Sequence, residues 1–159
     1  MQRNRLEKIV LSVGVGRMRQ LPNFEEKILP DIIRDLSIIA GQHPSKRGAK
    51  KAIANFKTRE GDVIGLMVTL RGKKMRDFLS RLINVVLPRV RDFRGIDIGH
   101  FDERGNLSIG IKEHTTFPEI NPEKTNHVFG VQITFTTNTR KREDGIELMR
   151  NLALPLKKV

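Results

Sequence analysis

The chain contains no cysteine, tryptophan or tyrosine, and its 5% aromatic content is entirely phenylalanine. Without cysteine there are no disulfides and no thiolate metal sites, which suits a reducing compartment. So few aromatics leave little with which to stack single-stranded bases. No run of about 18 apolar residues occurs, so no membrane-spanning helix is expected. The basic start, Met1-Gln2-Arg3-Asn4-Arg5, leads into no signal-type apolar region, because residues 9–15 alternate instead. Repeats, low-complexity tracts and linkers are also missing. The 159 residues therefore read as a single domain spanning 1–159.

Catalytic patterns are equally sparse. Val13-Gly14-Val15-Gly16 offers G-x-G, but Arg19 stands where a dinucleotide fingerprint needs its third glycine. His43, His100, His114 and His127 show no ligand spacing. Asp102-Glu103 and Glu143-Asp144 are neighbours in sequence, and neighbouring side chains on a strand or helix diverge. The expectation is no catalytic residue, no cofactor and no metal.

Positive charge is abundant and localised. The chain carries 30 Lys and Arg against 18 Asp and Glu, a net +12. Residues 44–94 hold 14 basic and 4 acidic groups, whereas residues 95–159 hold 9 of each. A concentrated cationic surface is the footprint of a polyanion, either nucleic acid or an anionic membrane. Membrane attachment would need a basic amphipathic helix with its apolar face exposed. The apolar stripe Met75, Phe78, Leu79, Leu82, Ile83 and Val86 reads better as core, so nucleic acid is favoured.

Periodicity places the elements. In residues 7–14, Ile9, Leu11 and Val13 share one side, and Lys8, Val10, Ser12 and Gly14 the other. Asn23 and Glu26 suggest a capping box, followed by Phe24, Ile28, Ile32, Leu36 and Ile39 at helical spacing. Gly41 should stop this helix and Pro30 should kink or restart it. A strand at 62–71 sets Ile64, Leu66, Val68 and Leu70 against Gly65, Met67, Thr69 and Arg71. A helix from about Lys73 to Leu87 ends or bends at Pro88. Strands at 107–111 and 129–136 and a helix near 143–152 complete the pattern. Clean alternation implies a sheet covered on one face only. The fold class is α+β, two layers, mostly antiparallel, with helices on the aliphatic face and the other face open.

An open face of Gly, Ser, Thr and Gln lets a ribose-phosphate backbone approach closely, and nearby cations add salt-sensitive attraction. Shape-reading of folded RNA fits this composition better than base stacking. Lys46, Arg47, Lys50 and Lys51 form one cationic group, with Arg71 beside Thr69 at the strand end. Arg89, Arg91 and Arg94 place three guanidiniums in six residues, suited either to phosphate or to pairing with Asp92 and Asp97. Residues 57–62, Lys57, Thr58, Arg59, Glu60, Gly61 and Asp62, read as a projecting turn, either a connector or a contact finger.

Several stretches resemble the bacterial type of large-subunit ribosomal protein five. They are Gly41-Gln42-His43-Pro44, Asn55-Phe56-Lys57, Val68-Thr69-Leu70-Arg71-Gly72 and Leu87-Pro88-Arg89-Val90-Arg91-Asp92-Phe93-Arg94-Gly95. Phe101 to Asn106, Phe117-Pro118-Glu119-Ile120, Thr134 to Thr137 and Leu154 to Lys158 continue the likeness in order. The resemblance implies a constituent of the central protuberance that binds 5S ribosomal RNA. Its contacts would fall on Gln42, Phe56 and Thr69, with Ser12 where the family usually has Asn. The basic residues above would add phosphate contacts, and residues 57–62 would face peptidyl-site transfer RNA. Large-subunit ribosomal RNA and a protein of the small-subunit head are further implied partners; no membrane or DNA is. The implied location is the cytoplasmic ribosome of bacterial type, or an organellar ribosome. The family's N-terminal helix has no counterpart here, Glu103 replaces a usual glycine, and Leu156-Lys157 replaces a usual Phe-Arg.

Overall fold

A computed structural model describes residues 3–52 and 58–157. The first strand, β1 (Leu6–Gly14), buries Ile9, Leu11 and Val13 and leaves the alternate residues partly or fully exposed. After a short loop, Phe24–Ile28 forms one wide helical turn that leads into α1 (Leu29–Ala40). β2 (Ser45–Gly48) and β3 (Val63–Leu70) form a hairpin, followed by α2 (Gly72–Arg81). A second wide turn, Leu82–Val86, leads into the short α3 (Leu87–Arg89). β4 (Leu107–Ile111), β5 (Val131–Thr137) and α4 (Arg142–Asn151) complete the chain.

The strands lie in the order β2-β3-β1-β5-β4, and every pairing is antiparallel. Ile9 sits between Leu70 and Phe135, and Leu11 between Val68 and Ile133. These residues join Leu36, Ile39, Phe78, Leu82 and Met149 in one core. α1 lies against β3 and α2 against β1. The expected layering is therefore present, with the helices on the aliphatic side.

The two prolines act alike. In each case a five-residue wide turn runs into Leu-Pro, and the leucine N–H donates five residues back: Leu29 to Phe24 and Leu87 to Leu82. A proline ring crowds the carbonyl four residues earlier, and widening the turn relieves that clash. Pro30 thus restarts the first helix, as its position suggested, and Pro88 sits in the final turn of the second. Gly41 closes α1 in the left-handed region, at φ 72, with its N–H on the Ser37 carbonyl.

Two expectations need correction, and one element is unforeseen. Asn23 is itself left-handed, at φ 61, and makes no side-chain cap, so the capping box with Glu26 does not form. Ile64 shares a face with Leu66 but lies where the sheet ends, and it is 36% exposed. Ser45–Gly48, part of the basic stretch to which the sequence pattern assigns no element, is an edge strand.

Candidate nucleic-acid interface

The register aligns polar residues in rows across the face opposite the helices. One row runs Ser45, Met67, Ser12, Gln132 and Gly110 through successive strands. The next runs Thr69, Val10, Thr134 and Ser108, and the Ser108 and Thr134 hydroxyls lie 3.3 Å apart. Arg47, Gly65 and Gly14 start a third row. None of these side chains belongs to the core, and a shallow concavity of about 680 Å³ opens over Ser12, Gly14, Ser108, Gly110 and Gln132. No phenylalanine lines it among the described residues. Phe24, Phe78, Phe101, Phe117, Phe129 and Phe135 are buried, and Phe93 packs partly against the core.

Gln42, just beyond α1, bends back to the sheet, where its side-chain N–H donates to the Thr69 carbonyl at 3.1 Å. Its side-chain oxygen has no hydrogen bond among the described residues. Ser12, Thr69 and Gln42 therefore gather on one part of the face, over β1 and β3. Lys46 and Arg47 lie exposed on the adjoining edge strand, and Arg71 is exposed just past the end of β3. Lys50 and Lys51 follow β2, also exposed. Phe56 and Lys57 lie outside the described residues.

The second cationic group is elsewhere. Leu87, Val90, Phe93 and Ile96 line a groove with Ile109 and Ile111 of β4, so Arg89, Arg91 and Arg94 stand at the opposite edge of the sheet. Four strand spacings separate the edges, roughly 19 Å. The alternative of pairing with Asp92 and Asp97 is not realised. Among the described residues no ion pair engages these arginines, and Asp97 instead accepts the Gly99 N–H at 2.8 Å.

In the β2–β3 connection, Thr58 is buried while Arg59, Glu60 and Gly61 are exposed. Asp62 is held from two sides: it accepts the Arg59 N–H at 2.7 Å and pairs with Arg19 at 2.8 Å. The Arg59 N–H above all, with the Arg19 charge, keeps its carboxyl below the ordinary aspartate range. Further back in the hairpin the Ala49 N–H donates to the Asp62 carbonyl, and the Gly61 N–H to the Ala49 carbonyl. Sequence reasoning missed Arg19, because no local pattern links it to a turn so far along the chain.

A second missed pair is structural. His114 is fully buried, stacks on Phe129 at 3.8 Å, and reaches Asp35 of α1 at 3.0 Å through Nε2. The Phe129 N–H donates to His114 Nδ1, so Nε2 carries the hydrogen and donates to Asp35. Among the described residues no group of three or more His, Asp or Glu could hold a metal ion, and no helix is long and apolar enough to cross a membrane.

A one-sided sheet with a hydrogen-bonding face and cationic rims is the kind of surface that suits a polyanion. Residues 1–59 match the family described as ribosomal protein L5, and residues 63–156 match the model of that ribosomal family's C-terminus. The large ribosomal subunit protein uL5 of Syntrophomonas wolfei is 47% identical over 157 residues, covering 99% of this chain and 86% of that protein. Its Clostridium tetani counterpart is 49% identical over 151 residues, 95% of this chain and 82% of that protein. That of Halothermothrix orenii is 46% identical, with 95% and 82% covered. The chain belongs to the ribosomal protein L5 family. It is a structural constituent of the large ribosomal subunit, not an enzyme, and its bacterial relatives indicate a cytoplasmic, ribosomal location.

Proposed function

We propose that this chain binds 5S ribosomal RNA in the central protuberance through the open face over β2, β3 and β1, acting as one RNA-binding domain. The carrying observation is the convergence of Gln42, Thr69 and Ser12 beside an exposed cationic edge strand. Gln42 is braced by its bond to Thr69, which leaves its amide oxygen for a ribose hydroxyl. Ser12 offers one hydroxyl where the family usually has an amide, a narrower contact. Lys46, Arg47, Lys50, Lys51 and Arg71 supply phosphate attraction. Phe56 belongs to the same proposed contact set by resemblance. The exposed Arg59-Glu60-Gly61 turn is the part of the 57–62 loop turned toward peptidyl-site transfer RNA, and contact with the small-subunit head and with large-subunit RNA completes the role.

Thr69→Asp tests this reading directly. A carboxylate set against phosphate should weaken 5S RNA binding at least about tenfold in a mobility-shift assay. Ser80→Asp, an equal charge change on an exposed residue of α2, should leave it within about twofold. Equal affinities for the two variants, both folded by circular dichroism, would remove the face from the proposal.

A further inference from the structure

The two edges of the sheet are finished differently. β2 is four residues long, exposed throughout, charged at Lys46 and Arg47, and shifted in register between Arg47 and Gly48. Shortness, charge and a bulge are the devices that stop an edge from adding another strand. β4 lacks the last two and is longer. Leu107-Ser108-Ile109-Gly110-Ile111 holds no charge and no proline, and it pairs with β5 in unbroken register. Among the described residues a single bridge, between Phe101 and Leu107, pairs with its outer side and covers only its beginning. Beyond that bridge the edge borders the groove of about 260 Å³ lined by Leu87, Val90, Phe93, Ile96, Ile109 and Ile111.

The surroundings of this groove are cationic. Arg89, Arg91, Arg94, Lys112 and Lys157 are exposed around it, and among the described residues none of them is in an ion pair. Among the described residues Asp97 is the one carboxylate in the lining, already engaged by the Gly99 N–H, while Asp92 and Glu113 lie exposed beside Arg91 and Lys112.

We propose that the free edge of β4 and this groove form a docking site for an extended, acidic protein segment. The segment adds to β4 as a further strand, sets apolar side chains into the groove and offers its carboxylates to the surrounding arginines and lysines. Three features select this occupant. An unpaired strand edge is completed by another peptide main chain, and a nucleic acid has none. An aliphatic groove is filled by aliphatic side chains. A basic segment would be repelled by the charge already there. The site lies across the sheet from Gln42 and Thr69 and does not depend on the RNA reading.

The test uses the full chain, isotope-labelled, and a seven-residue peptide alternating aspartate or glutamate with leucine or isoleucine. Binding with a dissociation constant on the order of 100 μM or tighter, with amide shifts concentrated in Ser108–Lys112 and Val90–Ile96, is expected. Prolines at the ladder-donating positions of the peptide should weaken it at least about tenfold, because they remove main-chain N–H groups. The double variant Arg91→Glu, Arg94→Glu, exposed at both positions, should weaken it by a similar factor while staying folded. No shifts at millimolar peptide would overturn the proposal, as would undiminished binding of the proline peptide. Shifts of the same amides by single-stranded RNA and not by the peptide would reassign the groove to nucleic acid. The same shifts appearing with protein concentration alone would assign the edge to a second copy of the chain.

Discussion

Asp62 shows how a charged loop residue can be engaged within the protein itself. Its bonds from the Arg59 N–H and Arg19 favour the ionised form, so its folded pKa lies below its unfolded one. The linkage sign follows: what these bonds contribute is complete above the unfolded pKa and is lost as pH falls through the lower folded value. A carboxyl NMR titration should place Asp62 below ordinary aspartate, and Asp62→Asn should abolish the acid-range shift of the Arg59 amide. A midpoint at or above the ordinary value would undo this account. His114 makes the complementary case, a polar group satisfied deep in the core. Asp35→Ala leaves the His114 Nε2–H buried without its acceptor and should cost about 1–3 kcal/mol in urea unfolding, more than a half-exposed aspartate would. Neither partnership is legible in the chain. Histidine spacing speaks to metal ligation alone, and a pair separated by 79 positions leaves no periodic trace.

At the scale of elements, α4 meets the turn before β4 through two glycines in contact. A Cβ added at Gly145 would collide with the Gly105 backbone, and Gly105 itself sits at φ 90. Asp102 holds that turn by accepting the Arg104 and Asn106 N–H groups at 2.9 and 2.8 Å. Alanine normally improves a helix by about 1 kcal/mol over glycine, but overpacking costs about 1–3 kcal/mol. Gly145→Ala should therefore destabilise the protein in chemical denaturation, and a gain in stability would mean that α4 moves freely of the turn. Four strands are legible because Ile9-Leu11-Val13, Leu66-Val68-Leu70, Leu107-Ile109-Ile111 and Val131-Ile133-Phe135 each keep a strict two-residue period. β2 is not, because an exposed edge of Ser-Lys-Arg-Gly buries nothing and so carries no pattern. The polar face over Ser12 and Thr69 is readable from the same alternation. The Gln42 bond to Thr69 is not, since it depends on where the chain turns after α1.

Across the whole molecule, cationic charge and open face act together. If binding neutralises about six phosphates, the logarithm of affinity for 5S RNA should fall with the logarithm of salt at a slope of roughly −4 to −5. A flat response in filter binding would count against phosphate contact as the source of affinity. The charge is also unevenly placed along the strand order. Residues 44–81, which form β2, β3 and α2, carry 11 basic and 3 acidic groups, while everything from residue 95 onward is balanced. The β2 side is thus one concentration of positive charge, and the arginines beside the β4 groove form another across the sheet. In dilute salt the β2-side charge draws an approaching polyanion toward the β2 rim, beside the open face of the sheet. Neutralising a single lysine there should hasten departure more than it slows arrival, because attraction at a distance is shared among many charges and the grip among few.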